Sequence, residues 1–170
     1  MNRIALTLAA LLVAAPAFAV PAPKVALDSI ANLPVVERNP YDEAATPAQA
    51  DAAVKAAFVR AHKSHKEVLI DLGGNWCGDC VVLSNIMQLP ELKPFIAAHY
   101  EVVTVDTGRN NKNLQIPGRF GVDLAGGVPA VLIVKPDGKT LVNAGHISAL
   151  EDARHMTPQG IADWLAQWIK

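Results

Sequence analysis

The chain has 170 residues, a formal net charge of −1, 51% apolar residues and two cysteines. The near-neutral balance supplies no basic footprint for nucleic acid and no charged face for a lipid surface. The length suits one ordinary domain with a single sizeable core.

In chain order, residues 1–19 read as a secretory signal peptide. Arg3 supplies the positive start, Ile4 to Ala15 is an uncharged, mostly apolar run, and Ala17-Phe18-Ala19 puts small residues where a signal peptidase cuts, after Ala19. The run is 12 residues long, too short for the ~20 that span a bilayer, and no cysteine stands near the cut for a lipid anchor. The expected location is therefore the periplasm. Residues 20–45, with Pro21, Pro23, Pro34 and Pro40, show no period and read as an extended lead-in, partly ordered at best. The folded domain is expected over 46–170.

Thr46-Pro47-Ala48-Gln49 is a helix start, with a capping threonine, proline at the first helical position and a capping-box glutamine. Ala50, Ala53, Val54, Ala57, Phe58 and Ala61 then share a face. Glu67 to Leu72 reads as a buried strand, broken by Gly73-Gly74-Asn75. A helix follows from about Cys77 to Gln88, and a short one over Glu91 to Ala98. Glu101 to Asp106 is a second strand. The connection 107–127 holds one helical turn near Leu114. Ala130 to Val134 is a third strand, Pro136-Asp137-Gly138 a turn, and Lys139 to Asn143 its hairpin partner. Thr157-Pro158 starts a last helix with Ile161, Trp164, Leu165 and Trp168 on one side. This order gives an α/β class, a mixed sheet flanked by helices.

The chemistry sits in Trp76-Cys77-Gly78-Asp79-Cys80. A bridge across three residues closes a loop too short to stabilise much, so the pair suits redox chemistry better than stapling. Cys77 opens a helix, where free N–H groups and the helix dipole favour a thiolate. It is expected to be the nucleophile, and Cys80, one turn on, the resolving thiol.

With the strand Val68-Leu69-Ile70-Asp71 before this motif and Gly127-Val128-Pro129-Ala130 before a later strand, residues 46–170 resemble the thioredoxin superfamily. The resemblance implies a thioredoxin-like fold, exchange of disulfides with protein or small thiols, and no cofactor or metal. It implies that Asp71, a buried acid on the preceding strand, assists proton transfer to Cys80. It also implies a cis Val128–Pro129 bond facing the cysteines. Trp76, Val128 and Pro129 are expected to meet substrate. Gly78 and Asp79 are expected to tune the couple, the Asp79 carboxylate repelling the Cys77 thiolate and making the protein a reductant. A reductant in an oxidising compartment requires delivered electrons, hence a membrane-embedded donor as partner.

Other readings are a disulfide-forming oxidant, a chaperone-like module, or a zinc site joining the cysteines to His62 and His65. The zinc reading is disfavoured because a whole strand, ~20 Å long, separates the histidines from the cysteines.

Overall fold

Thr46 caps the first helix as its sequence predicts. Its hydroxyl accepts from Gln49 N, the Gln49 side chain accepts from Thr46 N, and Pro47 fills the first helical position. The computed structural model describes residues 20–169; the expected signal peptide lies outside them. Helix α1 spans Pro47–Ser64 and strand β1 Glu67–Gly73. Helices α2, Gly78–Ile86, and α3, Leu92–His99, follow. Next come β2, Tyr100–Asp106, the single turn α4, Gln115–Gly118, and β3, Ala130–Val134. Helix α5, Pro158–Ala166, is the last.

The sheet has the order β2-β1-β3. β1 runs parallel to β2 and antiparallel to β3, with Asp71 in register with Thr104 on one side and Val131 on the other. β1 is central and buried on both faces, which is why its sequence is apolar without alternation. One face packs Leu69, Val131 and Ile133 against Leu83 and Ile86 of α2, Ile96 of α3 and Leu165 of α5. The other packs Val68, Ile70, Leu72 and Leu132 against Val54, Ala57 and Ala61 of α1. The Ala-rich face of α1 lets that helix lie close to the strands.

Two expectations change. Lys139 to Asn143 forms no strand. It meets β3 in one isolated bridge, Val134 to Leu141, with backbone bonds Lys135 N to Thr140 O at 2.9 Å and Val142 N to Ile133 O at 2.7 Å. Val131 N donates to Ile147 O at 2.8 Å, and the buried side chain of Asn143 bridges the ladder between. It accepts from Ile133 N at 2.9 Å and donates to Val131 O at 2.7 Å. Asn143→Ala leaves two buried backbone groups unpaired and is expected to cost about 2–3 kcal/mol, read as a lower urea midpoint with unchanged slope.

The lead-in also differs from a loosely held segment. Apart from a 3-10 turn at Ile30–Asn32 it has no regular helix or strand, yet hydrogen bonds pin it along its length. Val25 N donates to Gln159 Oε1 at 2.9 Å. Val36 N and Glu37 N both donate to Asn85 Oδ1, at 2.6 and 2.9 Å. Tyr41 exchanges two bonds with Asn75, its N–H to Oδ1 at 3.0 Å and its carbonyl from Nδ2 at 2.9 Å. Tyr41 is 2% exposed, so the lead-in supplies a core residue.

Candidate active site

β1 ends at Gly73 and α2 begins at Gly78, and the turn between them carries the cysteines. Cys77 is the N-cap of α2, with extended backbone, and its Sγ accepts from Cys80 N at 3.2 Å. A disulfide joins Cys77 to Cys80. Cys77 is 6% exposed and Cys80 fully buried, so an incoming group reaches the first sulfur and not the second.

Beneath the pair lies Asp71, wholly buried on β1. Strand alternation puts Asp71 and Gly73 on one face, and that face meets Cys80: a methyl placed on Gly73 would come within 2.8 Å of Cys80 Sγ and 2.7 Å of the Tyr41 hydroxyl. Glycine here is a space requirement, allowing both groups to close over the strand. The Tyr41 hydroxyl donates to Asp71 Oδ1 at 2.9 Å, while Oδ2 is buried with no hydrogen-bond partner among the described residues. Burial pushes the Asp71 carboxyl up to about 7, against the opposing pull of the Tyr41 hydrogen bond. An acid poised there exchanges protons readily near neutral pH.

The Val128–Pro129 bond is cis. The Val128 carbonyl oxygen lies 3.5 Å from Cys77 Sγ, so this segment flanks the reactive sulfur. Trp76, next to Cys77 in the chain, is 46% exposed. Its indole N–H donates to Gly108 O at 2.6 Å, and the Arg109 guanidinium sits 4.8 Å from its ring centroid. The connection 107–127 thereby reaches the active-site turn.

Residues 48–136 match the family model described as thioredoxin-like. The chain belongs to the thioredoxin-like family. It is 31% identical over 80 residues to a thioredoxin from Alicyclobacillus acidocaldarius subsp. acidocaldarius, an overlap of 47% of this chain and 69% of that protein. Among solved structures it is similar to a disulphide isomerase from Xylella fastidiosa Temecula1, at a TM-score of 0.69 and 37% identity. That match covers 75% of this chain and 94% of the other. The mixed sheet with flanking helices is the thioredoxin-like fold, and the chain is a thiol–disulfide oxidoreductase with a Cys77–Cys80 disulfide.

Within this thioredoxin-like frame, Asp79 differs from its expected role as a bare negative charge beside Cys77. It is buried, and its Oδ1 accepts from Arg154 N at 2.9 Å. Its Oδ2 accepts from Arg154 Nε at 3.0 Å and pairs with Nη2 at 2.9 Å. Gly78 lies against the same guanidinium, where an added methyl would meet Nη1 at 3.2 Å. The clamp sets the Arg154 charge against that of Asp79, which weakens the expected repulsion of the thiolate.

Sequence reasoning placed Cys77, Cys80, Asp71, Trp76, Gly78, Asp79, Val128 and Pro129, and the structure brings all eight around one turn. It missed Tyr41, Asn75 and Arg154. Tyr41 sits in a Pro-flanked segment without period, and Arg154 is in a 3-10 turn 75 residues from Asp79; neither carries a local signal. Asn75, which reads only as a strand breaker, is the clamp on Tyr41. His62 and His65, at the C-terminal end of α1, precede β1, and the cysteines follow it.

Proposed function

We propose that this protein is an exported reductant of protein disulfides, cleaved after Ala19 and working in the periplasm. The observation that carries the chemistry is a buried carboxylate with one unpartnered oxygen, Asp71 Oδ2, beneath a Cys-x-x-Cys pair at a helix N-terminus.

In the reduced protein the Cys77 thiolate attacks a substrate disulfide. A Cys77–substrate disulfide forms and one substrate thiolate leaves. Cys80 then gives its proton to Asp71 and attacks Cys77 Sγ, which breaks the mixed disulfide and releases the second substrate thiolate. Two electrons have passed from the cysteine pair to the substrate. The exposed Trp76 and the Val128-Pro129 segment beside Cys77 Sγ are the surfaces an extended substrate chain would meet. No helix among the described residues is long and apolar enough to cross a membrane. Re-reduction in an oxidising compartment calls for an electron donor, for which a membrane-embedded reductase is the fitting class.

The reducing direction rests on what surrounds the thiolate. Its stabilisers are the helix N-terminus and Cys80 N–H. Gly78 and the Asp79–Arg154 pair add no net positive charge and no histidine donor. The expected potential is nearer the ~−270 mV of thioredoxin than the ~−120 mV of a strong periplasmic oxidant. A second reading, disulfide rearrangement, is favoured by the name of the solved relative; it calls for a value nearer ~−180 mV.

Equilibration with glutathione and dithiothreitol buffers decides between them, alongside insulin reduction and refolding of a scrambled disulfide protein. Arg154→Ala uncovers the Asp79 charge, disfavours the thiolate and is expected to make the couple more negative by roughly 10–30 mV. Asp79→Asn leaves the arginine unpaired and is expected to shift the potential the other way. Shifts of the same sign in both variants would show that the clamp acts through packing and not charge.

A further inference from the structure

We infer that Tyr41, a residue of the lead-in segment, is a positioning residue of the exchange reaction: its hydroxyl holds Asp71 Oδ1 so that Oδ2 is left turned to take the Cys80 proton. The inference deepens the reading of Asp71 given above and rests on it.

Four observations carry it. First, the Tyr41 hydroxyl donates to Oδ1 at 2.9 Å and Oδ2 has no partner among the described residues. The two carboxylate oxygens are thus differentiated, one held and one open. Second, Tyr41 and Cys80 converge on the same bare spot above Gly73, the hydroxyl at 2.7 Å and Sγ at 2.8 Å from a methyl placed there. The held carboxylate, the hydroxyl and the resolving sulfur therefore share one small space. Third, the tyrosine is fixed by the active-site turn itself. Asn75, two residues before Cys77, receives Tyr41 N–H at 3.0 Å and donates to its carbonyl at 2.9 Å. Pro40, the preceding residue, accepts at its carbonyl from Thr104 Oγ1 at 3.1 Å, and Thr104 is the β2 neighbour of Asp71. Fourth, the phenol remains a donor. Burial first, and the Asp71 charge second, hold its ionisation well above the usual tyrosine range.

The groups around the carboxyl can be named by element. The lead-in presents Tyr41 and α2 presents Cys80. β2 places Thr104 in register, and its Asp106 acts on Tyr41 while paired to Lys112 at 2.8 Å. β3 places Val131. Tyr41 is the neighbour whose hydrogen bond favours the charged carboxylate. Removing the bond while keeping the ring makes the carboxyl hold its proton to higher pH.

The test is single-turnover resolution of a Cys77–glutathione mixed disulfide from pH 5 to 9. In the wild type the rate rises with a midpoint near 7, where Asp71 loses its proton. In Tyr41→Phe the midpoint is expected to rise by about one unit, with the rate at pH 7 several-fold lower and the high-pH plateau kept. Asn75→Ala, which frees the tyrosine without altering it, is expected to shift the midpoint the same way. In an Asp71→Asn background Tyr41→Phe is expected to add nothing, because it acts through the carboxylate. An unchanged midpoint in Tyr41→Phe, or a further loss in the Asp71→Asn background, would overturn the inference while leaving Asp71 as the base. An Asp71→Asn profile identical to wild type would remove the base itself, and the positioning role with it.

Discussion

Cys77→Ser is expected to abolish disulfide exchange, and Cys80→Ser to accumulate mixed disulfides held through Cys77. The asymmetry follows from where each sulfur sits. Cys77 caps α2, retains some exposure and receives Cys80 N–H, so its thiolate is stabilised and within reach of a substrate disulfide. Cys80 is one turn into the helix and fully buried. It meets only what Cys77 has already bound. Serine at position 77 removes the attacking thiolate, and the fall in insulin reduction should reach the assay's background. Serine at position 80 leaves the first attack intact and removes the second. The product is a covalent adduct visible by mass spectrometry and released by dithiothreitol. Adducts found mainly on Cys80 in the Cys77→Ser protein, and few in the converse, would reverse the assignment.

The part of this site that was legible in the sequence is the part built from neighbours in the chain. A branched apolar run followed by glycines and a Cys-x-x-Cys places a buried strand, a turn and a helix N-terminus, and the family resemblance adds Asp71 beneath Cys77 and Cys80. The cis Val128–Pro129 bond came through a resemblance carried by the residues around it. What escaped depends on side chains meeting across long stretches of chain. The fourth strand expected over Lys139 to Asn143 has turn residues before it and branched residues within it. A single buried asparagine, Asn143, nonetheless takes over the ladder bonds to Ile133 and Val131. Asp79 reads as an exposed charge because nothing near it is basic, and Arg154 arrives from a distant turn. Tyr41 lies in a segment whose prolines suggest little order, because the anchors that order it, Asn75, Asn85 and Gln159, belong to other elements.

Stability is expected to fall as pH rises from about 4 to about 7, by about 4 kcal/mol relative to Asp71→Asn. The sign comes from linkage. In the unfolded chain the Asp71 carboxyl titrates near ~3.9; in the folded protein burial holds it up to about 7. Below the lower value both states carry the proton and the carboxyl makes no pH-dependent contribution. Between the two values the folded state keeps a proton that the unfolded state has lost, so each added pH unit favours unfolding by ~1.4 kcal/mol. Above the folded value both are ionised, and the full cost of a buried carboxylate with one unpartnered oxygen is present. Asparagine has the same shape, still accepts from Tyr41, and does not titrate. Its second amide hydrogen, where Oδ2 stood, adds a penalty of about 1–3 kcal/mol, but that penalty is constant with pH. The observable is therefore the change in the difference between the two oxidised proteins, from urea unfolding at pH 4, 6 and 8. Keeping both oxidised removes the thiols from the titration. A difference that stays constant across the series would mean that Asp71 is ionised at its ordinary pH in the fold. It would then be too weak a base to accept the Cys80 proton. A difference that grows by several kcal/mol places the carboxyl's titration where the resolving step needs it, and shows that the protein gives up stability to keep it there.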